Sequence, residues 1–363
     1  MTATTTKQAG RVVWVDVAKG ACILLVVLFH ATNFAVTRGY GSDWWVAANA
    51  LLQPIRMPLF FLASGFFAAG ILARPWNEVW RRRIVLMLYL YGLWVVLRFA
   101  YFSAVPGASL THEEEHPLRL LTGILVPHNG LWFVYALAIY FAAAKLLNDL
   151  DVRVQLGIAF LVSWLAYAQD LLPWTWQNMA AYFLFFLIGV RGRDFLTVLA
   201  RHASLGLVAV LALAYSGMYY LSLQGGLAAT ALGSILLTLL GLAVGILAAA
   251  SITWGPAARA LAYLGTVTLP IYLMHEIAMG TLAYLALDNG LVPSASTVQA
   301  WGPIVITAAG VAGALLLHRA LLAARANWLF GLPGWLQAPA PARPGPRQDP
   351  GVPSWNEIIA PVR

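Results

Sequence analysis

The sequence alternates ten apolar stretches with short polar segments, and this alternation limits the folds open to the chain. Most stretches exceed the ~17 residues that an α-helix needs to cross the hydrocarbon core of a membrane. Only 10% of the residues are charged, and most of these lie between the stretches. The pattern predicts an all-α, polytopic membrane bundle of about ten transmembrane helices. The predicted spans are residues 12–36, 49–73, 84–105, 130–147, 154–172, 179–190, 205–223, 227–250, 261–287 and 300–323.

Positive charges are distributed unequally between the alternate connecting segments. If the N-terminus is cytoplasmic and all ten stretches span, sixteen Lys and Arg side chains lie on the inner side, and only Arg38 and Arg119 lie on the outer side. This asymmetry follows the positive-inside rule and predicts that both termini are cytoplasmic. The net charge of +8 is therefore attributed to topology, and no nucleic-acid partner is expected.

The chain is predicted to form one membrane domain, residues 1–330, followed by a disordered cytoplasmic tail, residues 331–363, that is rich in Pro and Gly. A single cysteine, Cys22, excludes an intramolecular disulfide. The first apolar stretch is too long for a cleavable signal peptide and is interpreted as a permanent span. Gly241 and Gly245 predict close helix packing within the bundle, with a dimer interface as the alternative.

The first apolar stretch contains three ionisable residues, Asp16, Lys19 and His30. Such residues are rare inside membrane spans and usually mark pathways or chemistry. Lys19 and His30 are 11 residues apart, which is three helical turns plus about 20° and an axial distance of about 16.5 Å, so both lie on one helix face. One interpretation is an interfacial Asp16–Lys19 salt bridge with His30 as a packing residue. The other is an elongated ligand in a tunnel along this face, held at Lys19 and reacting at His30.

Five short segments resemble signatures of the integral-membrane acyltransferase type 3 family, and the resemblance covers roughly residues 11–325. Members of that family carry a basic residue and a histidine separated by ten residues, and Lys19 and His30 match this pair. They transfer acyl groups, usually acetyl, from cytoplasmic acyl-coenzyme A to hydroxyls of glycans, lipids or antibiotics. The matching segments are DVAKGACILLVVLFHA (16–31), RMPLFFLASGFF (56–67), WRRRI (80–84), LWFVYALAIYF (131–141) and LGTVTLPIYLMHEI (264–277).

The resemblance implies an O-acyltransferase of the bacterial cytoplasmic membrane, with acyl-CoA as co-substrate and no tightly bound cofactor. The expected acyl-CoA is acetyl-CoA, because members of the family usually transfer acetyl groups. His30 is the expected general base for the acceptor hydroxyl, and a covalent acyl-histidine intermediate is the alternative. The residues expected to bind acyl-CoA are Lys19, Asp16, Arg81, Arg82 and Arg83. The residues expected to contact the acceptor or the oxyanion are Asn33, Arg56, Ser64, Trp132, Tyr135, His275 and Glu276.

Several of these residues have a second interpretation. Arg56 and Glu276 either line a polar cavity or belong to buried salt bridges, and for Arg98 a salt bridge with Glu276 is favoured because buried charge is normally paired. Arg81–Arg83 are explained by topology alone or by binding of coenzyme A phosphates. A secondary transporter that uses Lys19, Arg56 and Glu276 as a substrate or proton pathway is the alternative function. A non-catalytic partner subunit is disfavoured because the Lys19–His30 pair is intact.

Residues 112–116, HEEEH, fit the H-E-x-x-H zinc motif. That motif requires a helix, whereas Pro117 follows at once in a polar loop, so no metal site is predicted. The acidic run is interpreted as a solvated outer loop. The expected partners are membrane lipid, acyl-CoA and a small-molecule, glycan or lipid acceptor, and a homodimer is left open.

Overall fold

The computed structural model describes residues 12–105, 108, 117–123, 126–127, 130–252, 254–288 and 295–336, and these residues form helices and connecting turns without a strand. A π-helical turn, Trp80–Ile84, joins the helix Trp76–Val79 to the helix Val85–Ala104. Short 3-10 turns occur at Gly226–Ala229, Asn327–Leu329 and Gly334–Leu336. The α-helices are α1 (Val13–Thr37), α2 (Asp43–Leu72), α3 (Trp76–Val79), α4 (Val85–Ala104), α5 (Pro117–Thr122), α6 (Trp132–Leu146), α7 (Val152–Ala168), α8 (Trp174–Arg191), α9 (Arg193–Arg201), α10 (Leu205–Leu223), α11 (Ala231–Ser251), α12 (Gly255–Thr266), α13 (Thr268–Asp288) and α14 (Ala295–Ala323).

Each of the ten predicted apolar stretches coincides with a helix or a pair of helices, but fewer than ten qualify as membrane spans. Within the described residues, six helices are long and apolar enough to cross a membrane: α1, α2, the continuous helix Trp76–Ala104, α10, α11 and most of α14. The apolar helices α6 and α7 are shorter, with 15 and 17 residues. The all-helical fold is confirmed, whereas ten spans and the cytoplasmic location of both termini remain predictions.

The predicted span 261–287 is not one continuous helix. It is divided into α12 and α13, which meet at an angle of 88°, and Val267 between them is non-helical, with φ −116° and ψ 26°. Pro270 provides the physical reason. It has no backbone N–H and its ring clashes with the preceding turn of a continuous helix, so it is accommodated in the first turn of a new one. Counting α12 and α13 as one broken span raises the number of spans to seven.

Glycines allow the bundle helices to approach closely. A Cβ on Gly65 of α2 would meet a backbone carbonyl of α8, and a Cβ on Gly189 of α8 would meet a backbone carbonyl of α2. Gly241 and Gly245 of α11 face side chains of α2, so the predicted packing role of this pair is confirmed. Small residues give such contacts between helices in membranes, because they bring backbones within van der Waals distance.

An aromatic cluster forms the centre of the bundle where α2, α6 and α8 meet. Phe61 of α2 packs against Phe133 and Tyr140 of α6, with ring centroids 4.6 and 4.8 Å apart, and against Tyr182 of α8 at 6.0 Å. Edge-to-face and tilted ring pairs of this kind add about 0.5–1.5 kcal/mol each to the burial of apolar area. The cluster fixes the positions of α6 and α8, whose first turns border the site described below.

Two sequence predictions fall largely outside the described residues. The acidic segment 112–116 lies there entirely, as do residues 337–363 of the predicted tail. The six tail residues that are described, 331–336, include a 3-10 turn. Just before them, the carbonyl oxygen of Leu329 accepts a 2.8 Å hydrogen bond from the indole nitrogen of Trp94, which fastens this end of the domain to α4.

Candidate functional site

The centre of the site is a cluster of charged and imidazole groups contributed by α1, α4 and α13. Arg98 donates a 2.6 Å hydrogen bond to Oε2 of Glu276, and both side chains are almost completely buried. The other carboxylate oxygen, Oε1, lies 3.6 Å from Nδ1 of His30. The side chain of His30 is 18% exposed, so it is the member of this group with access to open space. The salt bridge favoured for Arg98 is therefore present, and it adjoins the histidine.

His275 lies behind His30 and is completely buried. The centroids of the two imidazole rings are 5.0 Å apart. Nδ1 of His275 lies 3.1 and 2.9 Å from the backbone oxygens of Ile271 and Tyr272, so its proton is on Nδ1, and Nε2 has no hydrogen-bond partner among the described residues. His275 was predicted to contact the substrate or the oxyanion, but it is not among the residues that line the cavity next to His30. Its position supports the ring of His30 from behind.

His30 opens into a cavity of about 560 Å³, called here the His30 cavity. Its size is within the range of small-molecule sites. Glu276 and Arg56 reach this space, as do aromatic and amide side chains from α1, α2, α6 and α8. The lining residues are Val26, Phe29, His30, Asn33, Val36, Thr37, Gln53, Arg56, Met57, Gly130, Trp132, Trp174, Asn178, Tyr182, Tyr272 and Glu276.

Arg56 presents a guanidinium that is held in place from two sides. Its carbon Cζ lies 4.3 Å from the centroid of the Phe29 ring, and its Nη1 donates a 3.3 Å hydrogen bond to Oδ1 of Asn49. Asn49 in turn donates a 2.8 Å hydrogen bond to the hydroxyl of Thr32. Sequence reasoning missed Asn49. An amide two helical turns before Arg56 in a predicted span is the signal that identifies it.

One wall of the His30 cavity combines aromatic rings with side-chain amides. Trp132 and Trp174 meet edge to face, with centroids 6.0 Å apart, and the ring of Tyr182 lies 6.3 Å from that of Trp132. Gln53 and Asn178 add hydrogen-bonding groups to the lining. The predicted positions of Asn33 and Trp132 beside the histidine agree with the structure, whereas Trp174 and the two amides were not predicted.

Lys19 lies in a second, smaller space of about 240 Å³, called here the Lys19 cavity. The ammonium of Lys19 is 5.5 Å from the centroid of the Phe67 ring. The lining residues are Lys19, Phe60, Ser64, Phe67, Arg83, Met87, Phe133, Val134, Leu137, Phe141, Thr268, Leu269 and Tyr272. Two cationic side chains from distant parts of the sequence therefore meet at one cavity.

The three consecutive arginines occupy different environments. Arg83 lines the Lys19 cavity, Arg82 lies 3.4 Å from the carboxylate of Glu78, and Arg81 is exposed. Successive residues of a helix point in directions about 100° apart, so one arginine of three can face a given cavity. The π-helical turn that contains them is a kind of helix irregularity often found at functional sites. Of this run, Arg83 has the contact expected of a donor-binding residue.

Three other predicted site residues lie away from His30. The side chain of Asp16 is buried and lines neither cavity. Ser64 lines the Lys19 cavity, and its hydroxyl donates a 2.9 Å hydrogen bond to a backbone oxygen of α2. Tyr135 packs against the ring of Tyr91 at 4.9 Å and lines neither cavity. Tyr135 points to the side of α6 that packs against Tyr91. Ser64 shares a face of α2 with Met57, which lines the His30 cavity, but it lies seven residues, or about 10 Å, further along the helix axis.

The predicted continuous tunnel is divided into two cavities in the described part of the chain. Lys19 and His30 share a face of α1, but each lines a different cavity. Tyr272 lines both cavities, so it lies where they adjoin. The periodicity of α1 places the two groups correctly, but it carries no information about a side chain of α13 that projects between them.

The cluster beside His30 also has the composition of a metal site. Ligating atoms of His30, His275 and Glu276 all lie within 4.8 Å of one another. Arg98, however, already supplies a positive charge to Glu276 at 2.6 Å, and a second cation at this carboxylate would be repelled. We therefore interpret the cluster as a buried Arg98–Glu276 ion pair that lies beside the two imidazoles.

Apolar spanning helices that enclose a histidine–carboxylate–arginine cluster define an integral membrane protein with a polar interior site. The family model described as "Acyltransferase domain" matches residues 12–319, most of the chain. The chain therefore belongs to the integral-membrane acyltransferase type 3 family, and the resemblance of its short motifs is confirmed.

Three curated proteins illustrate the relationship. The inner membrane protein YcfT of Escherichia coli is 27% identical over 46% of this chain and 51% of its own length. The nodulation protein NolL of Mesorhizobium japonicum is 28% identical over 38% of this chain and 36% of its own length. NolL of Sinorhizobium fredii is 25% identical over 52% of each chain. The chain thus spans about half the length or less of the curated relatives it matches, and no solved structure matches significantly.

Proposed function

We propose that the protein is an O-acyltransferase of the bacterial cytoplasmic membrane. It transfers an acyl group, acetyl in the simplest case, from cytoplasmic acyl-CoA to a hydroxyl of a cell-envelope glycan, lipid or similar acceptor. Family membership supports acyl transfer. The observation that carries the proposal is the arrangement of His30, which opens into a cavity and has Oε1 of Glu276 3.6 Å from its Nδ1.

In the proposed reaction, the carboxylate of Glu276 holds the Nδ1–H of His30, which leaves Nε2 as the base. The 3.6 Å contact is longer than a hydrogen bond, and such contacts in ligand-free sites often shorten when the substrate is bound. Nε2 accepts the proton of the acceptor hydroxyl while the hydroxyl oxygen attacks the thioester carbonyl carbon. The carbon–sulfur bond then breaks, the ester is released, and the departing thiolate takes the proton from His30.

Negative charge develops on the thioester carbonyl oxygen during this reaction. Arg56 lines the same cavity as His30, and its contacts with Asn49 and Phe29 fix its guanidinium before substrate binds. Preorganised donors of this type stabilise an oxyanion by roughly 3–4 kcal/mol. We assign the oxyanion role to Arg56 and give Asn33, which is more exposed, a role in contacting the acceptor.

The Lys19 cavity provides the proposed binding site for the donor. Lys19 and Arg83 both line it, and phosphate groups bind preferentially to Lys and Arg side chains. Coenzyme A is bound there through its phosphates, with the pantetheine arm directed towards His30. Arg81 and Arg82 lie on the adjacent surface and contribute general attraction for the anionic donor.

The side chains in the wall of the His30 cavity favour an acceptor that is rich in hydroxyl groups. Trp132, Trp174 and Tyr182 present ring surfaces, and Gln53 and Asn178 present amides that donate and accept hydrogen bonds. Flat apolar faces edged by hydroxyls, as in a sugar ring, match this combination of groups. A purely apolar acceptor would make no use of the hydrogen-bonding capacity of these two amides.

Purified protein supplied with acetyl-CoA labelled in the acetyl group tests the proposal. We expect release of the coenzyme A thiol that is matched by label on glycans or lipids of a cell-envelope extract. The same protein in sealed vesicles tests the alternative function, a secondary transporter. The proposal would be contradicted, and a transporter favoured, if an unmodified solute moved across the membrane and no acceptor supplied led to thioester cleavage.

A further inference from the structure

Tyr272 occupies the boundary between the two cavities. Its side chain is 3% exposed and lines both of them. Its hydroxyl donates a hydrogen bond to the carbonyl oxygen of Gly130 and accepts a 3.1 Å hydrogen bond from the backbone N–H of Phe133. Gly130 lines the His30 cavity and Phe133 lines the Lys19 cavity, so the hydroxyl is fastened to the chain on both sides of the boundary.

Further aromatic rings complete the boundary on the Lys19 side. The ring of Tyr272 meets that of Phe133 edge to face, with centroids 5.5 Å apart, and Phe133 stacks on Phe60 at 4.5 Å. Glu276 follows Tyr272 by one turn of α13, so the boundary residue and the proposed partner of His30 lie on one helix face. A molecule that is bound beside Lys19 and reacts at His30 must therefore pass the ring of Tyr272.

We propose that Tyr272 is a specificity-determining partition, which separates donor from acceptor and limits the width of the acyl group that reaches His30. This inference rests on the proposed acyl transfer. The pantetheine arm and a linear acyl group have similar cross-sections and pass a narrow gap equally well. A branched or aromatic acyl group is wider and is excluded while the ring is in place. With no thioester bound, the ring closes the gap and keeps water and acceptor from the donor side.

Donor specificity provides the first test. Acetyl-CoA, isobutyryl-CoA and benzoyl-CoA are compared in the wild type, Tyr272→Ala and Tyr272→Phe. In Tyr272→Ala we expect the rate of isobutyryl or benzoyl transfer, relative to the rate of acetyl transfer, to rise about tenfold or more. Pocket shape gives discrimination of this size. Tyr272→Phe retains the ring and should keep the wild-type ratio. An unchanged ratio in Tyr272→Ala, together with measurable acetyl transfer, would overturn the inference and leave the proposed function intact.

The matched control for this comparison is Tyr215→Ala. Tyr215 is a buried tyrosine whose hydroxyl donates a 2.5 Å hydrogen bond to a backbone oxygen, but it lines neither cavity. Tyr215→Ala also removes a tyrosine side chain from the bundle, and it should leave the ratio of isobutyryl or benzoyl transfer to acetyl transfer at the wild-type value. A ratio that rises equally in Tyr215→Ala would show a general loosening of the bundle and would overturn the assignment to Tyr272.

Thiol accessibility provides a second test that does not depend on acyl transfer. Cys22 is the single cysteine and is buried, so Cys22→Ala gives a background in which Ser64→Cys reports on the Lys19 cavity. A charged methanethiosulfonate reagent is added to one face of sealed vesicles at a time. When Tyr272 is intact or is replaced in Tyr272→Phe, we expect the Ser64→Cys thiol to react with reagent added to one face only. In Tyr272→Ala we expect this thiol to react with reagent added to either face. Reaction from both faces with Tyr272 intact, or from one face in Tyr272→Ala, would overturn the partition.

Discussion

Glu276 is shared between Arg98 and His30, with one carboxylate oxygen 2.6 Å from Nη2 of Arg98 and the other 3.6 Å from Nδ1 of His30. The arginine compensates the buried negative charge of the carboxylate, which lies next to the imidazole. The ion pair joins α4 to α13 and both to α1. In our proposal the ion pair has a structural and a chemical role, and the two roles can be separated by mutation.

Glu276→Ala is expected to lower stability as well as activity. It leaves Arg98 without this carboxylate, and breaking a buried ion pair costs about 3–5 kcal/mol. In the double variant Arg98→Met/Glu276→Met, apolar side chains replace both charges, and such replacements are often neutral or stabilising. We expect thermal unfolding of the double variant in detergent to return to near the wild-type temperature while acyl transfer stays lost. Recovery of transfer together with stability would show that Glu276 does not serve His30.

Gly130 is expected to be intolerant of a side chain because of its position against Glu276. A Cβ at this residue would collide with Oε1 of Glu276, the oxygen nearest to His30. Gly130→Ala should therefore displace the carboxylate and lower the rate of transfer without a large change in donor KM. Gly217→Ala is the matched control, because no atom lies within 4 Å of a Cβ built there. Equal rates in the two variants would contradict the proposed position of Glu276.

Arg83 is expected to determine donor affinity through the phosphates of coenzyme A. Loss of one charge-assisted hydrogen bond costs about 1.5–3 kcal/mol, so Arg83→Gln should raise the KM for acetyl-CoA about tenfold or more with little change in kcat. A short acetyl thioester of pantetheine, which lacks phosphates, should show the same KM in both proteins. Arg201→Gln is the control, since Arg201 is exposed and lines neither cavity. A KM increase of equal size for both thioesters would contradict phosphate binding at Arg83.

The sequence predicts the polar groups of the site better than it predicts their partners. Helical periodicity places Lys19 and His30 on one face, and the requirement that buried charge be paired identifies the Arg98–Glu276 salt bridge. Both inferences use local spacing or a chemical rule that holds in any fold. The cavity that each group lines depends on which way side chains of α2, α6, α8 and α13 point, and a single sequence does not contain that information.

The differences between the sequence predictions and the structure have the same physical origin. Apolar composition over residues 261–287 indicates a single span, whereas Pro270 and the packing of α12 on α1 divide it. Three adjacent arginines suggest a common site, but the helix directs Arg83 alone into the Lys19 cavity. Tyr272 was missed because a tyrosine in an apolar span is indistinguishable by sequence from an ordinary packing residue. Its position between the two cavities is visible only in the folded structure.

The most direct test of the central claim is the rate of acyl transfer in His30→Gln and His30→Ala. The loss of a general base lowers a rate by about 10²–10⁴-fold. We expect a loss of this size in both variants, with normal membrane insertion and an unchanged KM for acetyl-CoA. His202→Ala, at an exposed histidine outside both cavities, serves as the control and should transfer at the wild-type rate. Transfer by either His30 variant at a rate similar to that of the His202→Ala control would contradict the account.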